Sequence, residues 1–390
     1  QFPSRYSCSE ALVFIISLLL PFINPALAQA GGLESIDDLV LQAVRNNYGF
    51  YRAGQAVDGG WGNFSAYDAY ILETAGADLG SWMYNGEDFG SRVISLIDSS
   101  IEKEGTEGQS SAKRIAGEYL AARSLGETER AGVLLQMLQV RQNGKEDGSF
   151  DSSAFSDLPA LEMLGRAGEI DKIDAAKAIN FILGEQDASS GAWTLSWNDL
   201  MTTAEAIRAL AYLKPYAADQ EQEVSDAIDS GLAWLKDRQK DNGSFQDDGG
   251  WDDPIVDTAE VIYTLKLLGI DPFSWVSGKG NSPADYLYNG VVNSDGTFGA
   301  NFNVAANTWI IDAYLQLGAV INSDGILGIE VSPATAAIDT GKTQQFTAEA
   351  YVLAGTARDV TSAAAWTVQD TNIAGIDKGL AVGEAEGITE

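Results

Sequence analysis

A short turn ending in Gly-x-aromatic recurs along this chain, and each time an apolar, helix-patterned stretch follows. The clearest copies are Gly148-Ser149-Phe150, Gly191-Ala192-Trp193, Gly243-Ser244-Phe245 and Gly296-Thr297-Phe298, and Asp58-Gly59-Gly60-Trp61 opens the series. From Phe150 onward the aromatics are spaced by 43, 52 and 53 residues. The gap of 89 from Trp61 to Phe150 leaves room for one degenerate copy near residues 105–108. A fixed period of this length means one supersecondary unit used repeatedly, so it limits the fold before any single residue does.

Each copy has the same order: amphipathic helix, Gly turn, aromatic, second helix. Residues 226–239 place Ile228, Leu232 and Leu235 on one stripe and charges elsewhere, the pattern of a helix with one wet face. Asp241-Asn242-Gly243 then stops it. Asp257-Thr258-Ala259-Glu260 reads as an N-cap with a capping-box acid, and an almost wholly apolar helix follows over 261–268. Residues 204–213 and 304–317 are likewise nearly uncharged, whereas 128–142 and 172–186 carry mixed charge. Alternating wet and dry helices predict an outer amphipathic ring around an inner buried one. Hairpins of this period also stack as open solenoids, but six turns suit closure into an all-α (α/α)6 toroid.

The segments Gln186 to Trp193 and Gln239 to Phe245, each followed by Thr-Ala-Glu (203–205 and 258–260), resemble the Gln-Trp repeats of the squalene cyclase and prenyltransferase superfamily. The resemblance spans about residues 33–322 and implies the toroid fold for a domain at 31–322. It implies little about function, because that fold serves cyclases, zinc prenyltransferases, thioester domains and corrinoid carriers. From Ile326 the pattern changes to alternating β-branched residues with turn signals about every ten residues. Residues 326–390 resemble a bacterial Ig-like domain of group 2, an all-β sandwich with Trp366 in its core. That domain is incomplete, because the family's last strand is still missing at Glu390.

The remaining limits come from composition. The chain has 390 residues and a net charge of −32, a field that repels nucleic acid and anionic lipid. Residues 11–20 form a short apolar run followed by Pro21, Pro25 and small residues. This reads as a secretory signal within 1–30, cut after Ala28 or Ala30, and is too short for a membrane span. The expected location is therefore extracellular, at a bacterial cell surface. There is no histidine, and Cys8 is the only cysteine. Zinc-thiolate chemistry, Ser-His-Asp arrangements and intrachain disulfides are thereby excluded.

The family's catalytic motifs are broken in this chain. Where a class II terpene cyclase carries Asp-x-Asp-Asp-Thr-Ala, residues 254–259 read Pro-Ile-Val-Asp-Thr-Ala. Val256 stands at the proton-donor position, and Asp257 reads as a cap rather than an acid. No Cys-Gly-Glu-Gln thioester run occurs. Glycoside hydrolysis needs only two carboxylates facing one cleft. Asp199, Asp252 and Asp253, in the turns before inner helices, join Asp257 as weak catalytic candidates. Glu205 and Glu260 recur with the repeat and read as caps. Asp247, Asp248, Asp252 and Asp253 flank Gly249-Gly250-Trp251 and offer a weak calcium site, though a solvated acidic loop explains them as well. Otherwise no cofactor is expected. Trp61, Trp197, Trp251 and Trp309, with Asn307, are candidate ligand-binding residues at the funnel mouth.

Together these features predict a secreted toroid acting as a non-catalytic binding or adhesive module for an apolar or carbohydrate ligand. The alternative is an enzyme, cyclase-like or carbohydrate-active, using acids at the funnel.

Overall fold

The computed structural model describes residues 13–15, 35–53, 60–62, 64–107, 110–195, 199–247, 253–289, 292–293, 296–299 and 304–390. Among them twelve helices run in chain order: α1 (Ile36–Ala53), α2 (Ala66–Thr74), α3 (Phe89–Glu107), α4 (Ala112–Ser124), α5 (Thr128–Asn143), α6 (Ala154–Arg166), α7 (Ala175–Glu185), α8 (Asp199–Leu213), α9 (Glu221–Asp237), α10 (Pro254–Leu267), α11 (Pro283–Asn289) and α12 (Val304–Gln316). The even-numbered helices each pack on the next even one, and α12 returns to pack on α2, closing an inner ring. The odd-numbered helices lie outside them. This is an α/α toroid of six hairpins, and the degenerate copy expected near residues 105–108 falls between α3 and α4.

The two rings differ in burial as their sequences dictate. Nearly every residue of α8 and α10 is buried, whereas α9 buries only the stripe Val224, Ala227, Ile228, Gly231, Trp234 and Leu235. The turn aromatics Trp61, Phe150, Trp193, Phe245 and Phe298 are all buried between the rings. Gly148, Gly191, Gly243 and Gly296 adopt φ of +84°, +78°, +90° and +80°, a region L side chains avoid. At Gly243 a Cβ would also stand 2.2 Å from the Ser282 carbonyl oxygen.

The motif residues around these turns have structural work that differs from the expected capping. Thr203 and Thr258 do not cap. Each Oγ1 accepts the backbone N–H of its turn aromatic, Trp193 at 3.1 Å and Phe245 at 3.0 Å. In the third hairpin Asp157 does the same for Phe150, at 2.7 Å. Gln142, Gln186 and Gln239 each donate to the carbonyl of their turn glycine and to a carbonyl belonging to the next outer helix or the loop before it. The Gln and Thr of the repeat therefore satisfy backbone groups that burial would otherwise leave unpaired.

Beyond α12 lies a small β region. Ile326–Ser332 pairs antiparallel with Thr347–Val352, which pairs with Arg358–Asp359. A second sheet joins Thr343–Gln345, Leu380–Gly383 and Ala374–Asp377. Ile338, Phe346, Ala374 and Ala381 form a separate core, with Trp366 packed on it and its indole N–H donated to the Thr361 carbonyl at 2.8 Å. The first sheet leans on α1. Leu327 and Leu353 join the toroid core, Trp82 donates to the Leu353 carbonyl at 2.9 Å, and Arg52 pairs with Glu330 at 3.0 Å while stacking over Tyr48, Tyr84 and Tyr351.

Of the leader-like run at 11–20, only Val13–Ile15 is described, as a strand antiparallel to Thr335–Ala337. The expected cleavage sites lie outside the described residues. No helix among the described residues is long and apolar enough to cross a membrane.

Candidate active site

All inner helices start from the turn side, so their N-termini share one end of the toroid. A cleft of about 750 Å³ opens near α2 and α4. Phe64, Tyr67, Leu96, Met163 and Trp309 give it apolar and aromatic walls, and Asp68, Lys113, Arg114 and Glu118 supply its charges. α2 and α4 approach closely here because Gly117 has no side chain. A Cβ there would meet the Tyr67 Cβ at 3.4 Å.

The two carboxyls in this cleft are held differently. Asp68 and Ser65 form a capping box at the start of α2. Its Oδ2 accepts the Ser65 N–H at 2.8 Å, and its Oδ1 accepts the Thr308 hydroxyl at 2.7 Å. Glu118 is the seventh residue of α4 and is buried (1 % exposed). Its Oε1 accepts Ser100 Oγ at 2.5 Å and Arg114 Nε at 2.9 Å. Its Oε2 has no hydrogen-bond partner among the described residues. Burial pushes the Glu118 carboxyl above its ordinary range, against the downward pull of Ser100 and Arg114. Burial likewise pushes Asp68 up, against the hydrogen bonds from Ser65 and Thr308.

Further along the axis the inner helices meet through ion pairs. Lys113 Nζ lies 3.3 Å from Glu205. Arg208 is buried and reaches both Glu162 at 3.1 Å and Glu260 at 2.5 Å. Arg166 grips Asp312 through two bonds of 2.6 and 2.8 Å and also donates to Tyr70 at 3.0 Å. The axis beyond the cleft is thus packed with charged side chains rather than open. Burial raises Glu205 and Glu260, opposed by Lys113 and Arg208.

Glu205 and Glu260 are the seventh residues of α8 and α10, as Glu118 is of α4. Reading Glu205 and Glu260 as caps is corrected, because position seven is too deep to reach the free N–H groups of the first turn. The three copies differ in outcome. All three are bound by a cation, Glu118 by Arg114 of its own helix and Glu205 and Glu260 by Lys113 and Arg208 of other helices, and Glu118 also keeps one oxygen without a hydrogen-bond partner among the described residues. Glu118 escaped the sequence reading because its hairpin lacks the Gly-x-aromatic marker. The signal that could have found it is the glutamate seven residues into three of the six inner helices, α4, α8 and α10.

Of the acids singled out by sequence, those described are occupied with backbone. Asp199 Oδ1 accepts the Leu195 N–H at 2.6 Å. Asp253, not Asp257, is the N-cap of α10, accepting from Ile255 at 3.1 Å. Asp257 is fully buried in the first turns of α10 and accepts the Asp247 N–H at 3.0 Å. Asp247 in turn accepts the Leu200 N–H at 2.9 Å. None of them lines the cleft. Asp248 and Asp252 of the calcium suggestion, and Trp197 and Trp251, lie outside the described residues. No group of three or more metal-ligating side chains occurs among the described residues. Trp309 lies in the lining of the cleft. Trp61 does not: it is buried against Tyr84 and Phe89 and donates to the Glu87 carbonyl at 3.1 Å. Asn307 is buried in α12.

No family model and no curated protein matches the chain. Among solved structures it is similar in shape to a type II terpene cyclase, MstE, from Scytonema. A variant bound to its substrate geranylgeranyl dihydroxybenzoate matches at 12 % identity over 72 % of this chain and 98 % of that one, TM-score 0.47. A second variant, with the product merosterolic acid A, matches at 12 % identity over 72 % and 97 %, TM-score 0.44. A Klebsiella pneumoniae protein described as a possible member of the GH105 family matches at 13 % identity over 75 % and 96 %, TM-score 0.41. These neighbours are a terpene cyclase and a GH105-type protein, not binding or adhesion modules. The expectation of a non-catalytic binding or adhesive toroid is corrected against these neighbours, whose likeness is one of fold, and its enzyme alternative is taken up as a proposal below. In the cleft wall Glu118 is held by Arg114 and Ser100 through one oxygen, and the other has no hydrogen-bond partner among the described residues.

Proposed function

We propose that this protein is a carbohydrate-active enzyme that cleaves a glycosidic bond in the cleft between α2 and α4, with Glu118 as general acid. One observation carries the reading: Glu118 is buried in the wall of an aromatic-lined cleft, with one carboxyl oxygen that has no hydrogen-bond partner among the described residues. Burial favours the protonated carboxyl that protonating a leaving-group oxygen requires, against the opposing pull of Ser100 and Arg114. Trp309 and Tyr67, with ring centroids 6.0 Å apart, offer apolar faces on which a sugar ring stacks. Asp68 faces the same cleft from the adjacent helix. A carboxylate has about four lone-pair sites, so its two hydrogen bonds leave capacity to orient a water as general base. Two carboxyls flanking one cleft are what glycoside hydrolysis needs.

A second reading, proton-initiated terpenoid cyclisation, is favoured by the apolar wall of Phe64, Leu96, Met163 and Trp309. The test is to incubate the full chain with a panel of oligosaccharides and with a polyprenyl substrate, and to analyse products by mass spectrometry. New reducing ends that disappear in Glu118→Gln support the glycosidase. An isomer of unchanged mass supports the cyclase. Full activity in Glu118→Gln overturns both. The same proposal takes the protein to be secreted, on the leader-like run, and the C-terminal β region to be an Ig-like module, on its strand pattern and Trp366.

A further inference from the structure

The charges around the cleft carry a consequence for the substrate, which rests on the glycosidase reading. An anionic ligand entering a partly dry cleft needs a cation whose charge is not already used. The cleft has two cations, Lys113 and Arg114. Lys113 is paired with Glu205 at 3.3 Å and Arg114 with Glu118 at 2.9 Å. Both glutamates are almost fully buried, so neither can turn to water if its cation is drawn away. Behind them Arg208 is shared by Glu162 and Glu260, and Arg166 is bound to Asp312.

Asp68, by contrast, has no cation partner among the described residues; its bonds come from Ser65 and Thr308. The segments leading into α2 and α4, residues 54–65 and 108–111, add no cation, and Lys145, Arg238 and Lys240 in the turns of the third and fifth hairpins do not line the cleft. Residues 54–59, 108–109, 196–198, 248–252, 294–295 and 300–303 contain no Lys or Arg, and they include Asp58, Asp248, Asp252 and Asp295. The whole chain adds a field of −32 charges, which lowers the local concentration of anions.

We infer that the cleft takes an uncharged glycan and rejects uronic-acid or sulfated ones, because every cation at the site is already committed to a buried carboxylate and Asp68 is in excess. Lys113 and Arg114 remain hydrogen-bond donors for hydroxyl groups, which is the role a neutral sugar needs from them.

Ligand-observed NMR on the wild-type full chain tests this, using neutral xylo- and manno-oligosaccharides against oligogalacturonates of equal length. The expected result is binding of a neutral series, with oligogalacturonates at least roughly tenfold weaker. Oligogalacturonates binding as well or better would overturn the inference and leave the glycosidase reading standing. Binding of neither series would overturn both. A gain-of-function arm follows from the same logic. Glu205→Gln releases Lys113, and oligogalacturonate affinity is then expected to rise by roughly tenfold. Should that variant not fold, Glu118→Gln releases Arg114 and is expected to give the same gain. A folded variant with no gain would count against the inference.

Discussion

The regular and the degenerate hairpins of this toroid build the same ring and use their acids in opposite ways. From α5 to α12 each turn carries Gly and an aromatic, and in three of the four Asp157, Thr203 or Thr258 accepts the aromatic's N–H. Glu205 and Glu260, one helical position in common, are bound by Lys113 and Arg208. Between α3 and α4 the turn signature is missing. There the equivalent Glu118 keeps an oxygen unpartnered, and there the cleft opens. The lesson is that regular repeats spend their polar groups on construction, and chemistry becomes available where the repeat lapses.

The strongest way to break this comparison is to exchange the three glutamates for glutamine in turn. Glu118→Gln is expected to lower kcat by about 10²- to 10⁴-fold, the range for loss of a general acid, with the melting temperature nearly unchanged. Equal loss of kcat in Glu260→Gln would erase the distinction between cleft and axis. Stability tests the other side. Arg208→Met leaves Glu162 and Glu260 buried without their cation, and urea unfolding should show a loss of about 3–5 kcal/mol. A loss below 1 kcal/mol would mean the axis is wetter than its burial implies.

Thr258→Val removes the acceptor for the Phe245 N–H and keeps the shape, so a loss of about 1–3 kcal/mol is expected from the unpaired buried group. A loss at the low end of that range, about 1 kcal/mol, is expected from Ser111→Ala beside the degenerate turn, where only the N-cap of α4 is removed. The smallest effect is the pH dependence. Glu260 is raised by burial, so on raising the pH the unfolded chain gives up this proton before the folded one does. Its contribution is full below the ordinary glutamate range and is lost as pH rises through the raised value. Stability measured across that window should fall with pH in the wild type and less steeply in Glu260→Gln.

The ring itself was legible in the sequence, because Gly-x-aromatic turns and alternating wet and dry helices are local patterns. Glu118 was not, since its marker turn is absent and attention falls on the acid-rich turn around Asp247 and Asp253, whose carboxylates hold backbone instead. Nor could one sequence show that Arg208 serves glutamates on two other helices, 46 and 52 residues away. Such partners are set by ring closure, and they decide which acids are free. The binding-module reading failed at this point, since the acids it weighed lay in the turns before the inner helices and Glu118 was not among them.

A ring folded from a linear chain has one seam that the backbone does not cross, here where α12 meets α1 and α2. The β region leaves the chain after α12 yet docks on α1 through Leu327, Leu353 and the stacked Arg52. Val320 in the connecting segment also donates its N–H to Asp37 of α1 at 2.7 Å. The appended region therefore acts as a clasp across the seam. Shortening the chain before Ile326 should let the first hairpin fray, and hydrogen exchange would locate the loss in α1 rather than in α10.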